Sequence, residues 1–279
     1  MAEIKEYLTT GAGTEGSLLI EKKIYDTLIE AVQKKLVGRA LAAIYIGPDG
    51  IPGSSVDVDT VDPDSMAVIR VAEGAAVPIE TVGYSSSNFK PAKYGVRPLI
   101  TKEMQEDAKW DLIAHNIMVA GKEMAENEDS LIITALDSAA NTVTGGATVT
   151  IANITRAMQY LEDSDYAPTD LVVGPEVAND LRNIDTFVEA DKLGSREMLE
   201  SGFIGRLYGM TVHLISANII TTTTAYVLDK SHAFVIAEKR PVTIEQYDDA
   251  THDLSGVVVT QRITVGALRT SAIAKITST

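Results

Sequence analysis

The chain has 279 residues, 39 acidic against 24 basic side chains, a formal net charge of −15 and no cysteine. That length supports one large or two small domains with a real core, and 45% hydrophobic residues fit a globular chain rather than a disordered one. The composition excludes disulfides, thiolate catalysis and zinc–thiolate sites, and the charge disfavours nucleic-acid phosphates except at a local basic patch. No apolar run reaches the roughly 18 residues of a membrane helix, and MAEIKEYLTT lacks the basic-then-apolar order of a secretory signal.

Residues 1–16 are polar, with glycines at 11, 13 and 16, and read as an arm. Residues 17–38 read as a helix capped by Ser17, because Ile20, Ile24, Leu28, Val32 and Leu36 recur every fourth position. Leu41 to Ile46 reads as a short strand. Residues 47–65, with Pro48, Pro52 and Pro63, read as loop or extended chain. Met66, Val68 and Val71, then Val77, Ile79 and Val82 across Glu73-Gly74, read as a β-hairpin. Pro91 and Pro98 keep residues 83–100 extended. Residues 101–137 are the strongest helical segment, with Thr101 as cap and Trp110, Ile113, Ile117 and Met124 near one face. Unbroken, that helix would be about 55 Å long.

Residues 138–150 read as a flexible loop. An alternation follows: a helix over 153–163, a buried strand DLVVG at 170–174, and a helix opened by Pro175. Residues 184–208 are mixed. Strands are expected at 210–216, 225–228, 234–237 and 242–247. From 255 to 279, Val257, Val259, Ile263, Val265 and Ile273 share one parity, with Gly266 as a bend or bulge. That pattern fits one extended strand or two with a kink.

Tests for chemistry find little. GAGTEG at 11–16 has the letters of a dinucleotide loop, but no strand precedes it and no βαβ series follows. His115, His213, His232 and His252 lack metal spacing. Asp57, Asp59, Asp62 and Asp64 lack the glycine and terminal glutamate of a calcium loop. Asp248 and Asp249 are adjacent carboxylates with no sign of a substrate pocket. There is no G-x-S-x-G elbow and no phosphate-binding G-x-x-x-x-G-K-[ST] loop. No enzyme, cofactor or metal site is expected. The densest basic cluster, Lys90, Lys93, Arg97 and Lys102 interleaved with Phe89 and Tyr94, reads as a solvated loop or a protein contact.

Three passages carry a resemblance: VRPLITKEMQEDAKWDLIAHNIMVAGKEMAENEDSLIITAL, YAPTDLVVGPEVANDLRN and LGSREMLESGFIGRLYGMTVHLISANI. With the order of elements, they resemble the major capsid proteins of tailed viruses with the HK-97-like fold. The first resembles entry into that family's spine helix. The second resembles its A-domain strand and helix. The third resembles the turn through Gly202, Gly205 and Gly209 into a strand. Encapsulin nanocompartment shells share the fold and form the alternative.

The resemblance implies an α+β fold with an N-terminal arm at 1–16, a helix and strand at 17–46, and an extended E-loop at 47–100. The spine helix would be 101–137, the A-domain 138–247 and the C-terminal P-domain strands 248–279. It implies a self-assembling icosahedral shell of pentamers and hexamers around double-stranded DNA held without specific contacts, or, in the alternative, a shell around cargo protein. Location in the virion, with assembly in the host cytoplasm, follows from it. Scaffold, portal or decoration proteins are candidate partners; a membrane is not. Phe89, Lys90, Lys93, Tyr94 and Arg97 are the candidate contacts between subunits. No family residue maps singly onto this chain.

Overall fold

Strand β12, Leu254–Ala267, organises the first sheet. Its odd-numbered residues Val257, Val259, Gln261 and Ile263 are buried, as the parity in the sequence requires. The computed structural model describes residues 38–61, 66, 68–74, 76–77, 79–101, 103–104, 112–183, 205–249, 251 and 254–278. The arm at 1–16, all but the last residue of the helix expected over 17–38, Trp110 and His252 lie outside the described residues.

β12 pairs antiparallel with β11, Phe234–Asp249, and on its other side with β4, Ala92–Val96, and β5, Leu99–Thr101. Strand β1, Ile44–Ile46, lies parallel to β11 at the edge. The two strands expected at 234–237 and 242–247 are one. Pro241 cannot donate to the ladder, and the register shifts on both sides of Arg240, so the proline is absorbed by an irregularity instead of ending the strand.

The second sheet has the order β6-β13-β10-β7-β9-β8. Its members are β6 (Asn141–Thr144), β7 (Asp170–Val173), β8 (Arg206–Leu207), β9 (Met210–Leu214), β10 (Thr224–Leu228) and β13 (Ile273–Thr277). β6 falls in the stretch expected to be a flexible loop. It is a strand because it runs parallel to β13, a neighbour supplied from over a hundred residues away. Tyr208 (φ 50°) and Gly209 (φ 87°) form the two-residue turn between β8 and β9, both in the left-handed region that such hairpins need.

Helix α1, Leu112–Leu136, is shared between the sheets. Ile117, Ala120 and Met124 pack on Val242, Val257 and Val259 of the first. Ile132, Ile133 and Leu136 pack with Val172, Tyr226 and Leu228 of the second, and with Phe234 and Ile236. The expected cap is present upstream, where the Met104 N–H donates to Thr101 Oγ1 at 3.2 Å. Helices α2, Ile151–Glu162, and α3, Pro175–Arg182, cover the other face of the second sheet through Ile154, Leu161, Val177 and Leu181.

The sheets do not divide at residue 247. The chain leaves the second sheet after Leu228, enters the first at Phe234, and returns for β13. So 234–247 belong with the first sheet and 273–277 with the sheet of α2 and α3. Sequence periodicity cannot reveal this exchange, because both sheets need the same alternation.

A third, two-stranded sheet pairs β2, Val56–Val61, with β3, Tyr84–Phe89. The expected hairpin had its strands closer to the tip, at 66–71 and 77–82. The described residues there are not strands. β2 lies in the stretch expected as loop or extended chain, and its alternation is regular: Asp57 and Asp59 face solvent while Val56 and Val58 pack inward.

Candidate subunit-interaction surface

The root of the hairpin is fixed on the face of the first sheet that points away from α1. Phe89 is buried there with Ile51, Val235 and Ala237. It lies so close to β12 that a Cβ at Gly266 would sit 2.3 Å from Phe89 Cε1. Gly266 is therefore a close-approach glycine within a continuing strand, and not the expected bend. Lys239 Nζ donates to the carbonyls of Ile51 (3.3 Å) and Gly53, and Arg269 Nη2 donates to that of Val61. These contacts hold β2 at both its ends. Beyond it, Met66, Val68, Ile69, Val77, Ile79 and Tyr84 are exposed, Ile79 at 96%. Large apolar side chains with no cover among the described residues mark an interaction site.

The five candidate contacts part company. Phe89 is corrected: it is core, since its ring fills the space that Gly266 leaves open. Tyr94 is half-buried and packs against the cluster around Phe234 and Ile263. Lys90, Lys93 and Arg97 are exposed. The Arg97 guanidinium stacks 3.8 Å from the centre of the Tyr247 ring, a favourable cation–π geometry.

Behind this surface, a buried polar network ties four elements to α1. Arg39 Nε donates to Glu128 Oε1 at 2.5 Å, and its Nη2 to Glu128 Oε2 at 2.9 Å and Glu238 Oε1 at 3.0 Å. Gln261 Nε2 donates to both carboxylates, at 3.2 and 2.7 Å. Burial opposes the Arg39 charge, but the hydrogen bonds and charges of Glu128 and Glu238 outweigh it and raise its pKa above the ordinary guanidinium value. Tyr45 donates to Glu238 Oε2; burial and that bond push the phenol up to about 12. Sequence reasoning missed this network. One signal was available: Gln261 occupies the buried parity between Val259 and Ile263, and a polar residue there needs partners.

A second network joins the end of α1 to the second sheet. Asp137 accepts from Tyr226 Oη at 2.5 Å and from Lys275 Nζ at 2.6 Å. Burial would raise the Asp137 pKa, but these two donors and the lysine charge hold it below the usual carboxylate range. Burial, with the bond to Asp137, lifts Tyr226 well above an ordinary phenol.

The described histidines do not converge. His213 Nε2 pairs with Asp170 Oδ1 and His232 Nδ1 with Asp229 Oδ2, each at 2.9 Å, while His115 is exposed on α1. Among the described residues no group of three His, Asp or Glu could hold a metal ion, and no helix is long and apolar enough to cross a membrane. A groove of about 690 Å³ between β6 and α2 is lined by polar residues including Asn153, Arg156 and Gln159. The GAGTEG segment is outside the described residues.

This geometry, a paired-sheet body with a shared helix and a clamped hairpin, is that of solved capsids. The chain is similar to a solved structure from Mycobacterium phage Che8, with a TM-score of 0.71 at 17% identity, covering 86% of this chain and 90% of that one. It is similar to the mature capsid of bacteriophage PhiM1, with a TM-score of 0.68 at 14% identity over 88% and 87% of the two chains. It also matches a virus-like particle from Pyrococcus furiosus, with a TM-score of 0.63 at 14% identity over 92% and 99%. The fold is thus the HK-97-like one. No curated protein matches the sequence. A family model described as phage capsid protein matches residues 84–276, more than half of the chain, and the chain belongs to that family. It is a capsid shell protein, a component of the virion that associates with copies of itself.

Proposed function

We propose that copies of this chain assemble, as pentamers and hexamers, into a closed icosahedral shell that encloses double-stranded DNA without binding it specifically. The carrying observation is the hairpin. Its root is bonded into the body, and its tip presents Val68, Val77 and Ile79 to solvent. A chain that buries so little of this excursion does not offset its conformational entropy alone, and laying it across a neighbouring copy does. Many modest contacts of this kind add up in a closed shell. The net charge of −15 supports DNA that is enclosed rather than adsorbed, because an acidic wall repels phosphates. The role is structural, without enzymatic activity. Assembly takes place in the host cytoplasm, with scaffold, portal and decoration proteins as further partners.

The test is direct. Purified full-length chain, fractionated by size and imaged by negative-stain electron microscopy, is expected to give closed shells or capsomer rings. Deleting the tip residues 66–82 is expected to leave folded subunits without shells. Normal shells from that deletion would overturn the role given to the hairpin. A clean monomer from the intact chain, even with a scaffold protein supplied, would overturn the shell.

The match to the Pyrococcus furiosus particle supports a second reading, a nanocompartment around cargo protein. Nuclease-protected DNA inside particles recovered from the producing host would exclude it.

A further inference from the structure

The face of the first sheet that carries the hairpin root also carries a row of cations that the described chain leaves unneutralised. The register sets Lys93 of β4 opposite Arg262 of β12, and Arg262 opposite Arg240 of β11. Residues directly opposite in a sheet share a face, and neighbouring strands lie about 4.8 Å apart, so three cations span roughly 10 Å. Like charges placed opposite one another cost stability.

Nothing described offsets that cost. Arg262 Nη2 donates to the Pro91 carbonyl at 3.4 Å, and Arg240 Nη2 to Thr260 Oγ1 at 2.8 Å. Arg240 Nε is buried without an acceptor. The ion pairs of the described residues involve Arg39, Lys122, Lys275, His213 and His232, not these three. Glu245 stands on the same face, opposite Val258, and bonds to none of them.

The complementary charge is on the hairpin. Residues 51–89 carry Asp57, Asp59, Asp62, Asp64, Glu73 and Glu80 against the single cation Arg70. Asp57 and Asp59 are exposed on one face of β2, and their partners across the register are Asn88 and Ser86, so no cation faces them. Asp57 accepts one bond from Asn88 Nδ2 at 2.5 Å and retains free lone pairs. Alternate residues of a strand are about 7 Å apart. Two carboxylates at that spacing fit between three cations about 5 Å apart, each bridging two.

We propose that the Asp57–Asp59 face of one copy's hairpin docks on the Lys93–Arg262–Arg240 row of a second copy. The proposal rests on the shell reading and names where the hairpin lands. It accounts for a like-charge row in an acidic protein: the row is a receptor for carboxylates and costs least when they are present. It also sets direction, since an acidic face on one copy and a basic face on the next make a head-to-tail contact of the kind that closes rings.

The experiment uses the full chain, nuclease-treated and free of DNA, in three charge-reversed forms: Lys93→Glu with Arg262→Glu, Asp57→Lys with Asp59→Lys, and all four together. Melting temperature and shell yield are read for each. The two double variants are expected to keep the wild-type melting temperature and lose shells, and the quadruple variant to regain them. Added salt is expected to weaken wild-type assembly. Should a reversed chain not fold, the neutral pair Lys93→Gln with Arg262→Gln carries the same comparison with a smaller loss. Wild-type shell yield from Lys93→Glu with Arg262→Glu overturns the docking while leaving the shell reading intact. So does a quadruple variant that folds and stays unassembled. An intact chain that forms no shells, even with a scaffold protein supplied, overturns both.

Discussion

Strand β10 and the hairpin excursion both carry large apolar residues, and they dispose of them in opposite ways. All five residues of β10, Thr224–Leu228, are buried, with α1 on one side and the α2–α3 pair on the other. Val68, Ile69, Val77, Ile79 and Tyr84 stand in solvent. The first region gains its stability inside one copy. The second is built to gain it from another. An apolar side chain in the sequence signals that it will be covered, not by which chain.

Core substitution separates the two most sharply. Phe234→Ala, at a fully buried ring between α1 and both sheets, is expected to cost the isolated subunit about 3–5 kcal/mol, read from its denaturation midpoint. Ile79→Ser is expected to leave the same midpoint within about 0.5 kcal/mol while lowering shell yield. A subunit destabilised equally by both changes would erase the distinction.

Arg39→Met tests the body from its polar side. It leaves Glu128 and Glu238, at 1% and 2% exposure, without their cation and is expected to cost about 3–5 kcal/mol. Circular dichroism with urea would read this, and an unchanged midpoint would show that Gln261 and Tyr45 suffice.

At the boundary between the regions, Gly266→Ala places a methyl against the Phe89 ring and is expected to cost about 1–3 kcal/mol. Hydrogen exchange should quicken at β3 while β10 stays protected. Equal quickening in both would mean that the root and the body open as one unit.

The smallest effect concerns acid. The folded Asp137 carboxyl has a lowered pKa, so the unfolded chain binds its proton more readily. The stabilisation is present above the unfolded value near 3.9 and is lost as pH falls through the folded one. Asp137 is 47% exposed, so screening keeps the effect to about 0.5 kcal/mol. Melting curves between about pH 5 and 2.5 should fall more steeply for the wild type than for Asp137→Asn. Parallel curves would remove Asp137 as a pH-sensitive tie.

Much of the architecture was legible in the residues. The repeat through Ile117 and Met124, the cap at Thr101, the DLVVG strand followed by Pro175, and the odd parity of β12 all appear where periodicity puts them. Such signals are local, because a helix or strand that buries one face must repeat with its own period. The misses share the opposite property. β6 became a strand only through β13, and the choice between loop and extended chain at β2 fell to a strand only through its partner β3 and the cluster around Phe89. The surface followed the same division. Lys93 and Arg97 stood out as a basic cluster and Phe89 was wrongly grouped with them, since adjacency in sequence does not tell which face a side chain takes.

By itself, then, the sequence determined an acidic, cysteine-free α+β chain, its main helices, the buried parity of its last long strand, and an excursion too long to stand alone. Only the tertiary structure decided that β11 and β13 exchange sheets, that Glu128, Glu238 and Gln261 meet around Arg39, and that Lys93, Arg262 and Arg240 form one row. The reason is physical. Period and propensity act over a few residues along the chain, whereas register joins residues over a hundred positions apart, and charge is felt across space, whatever the order in which the chain delivers it.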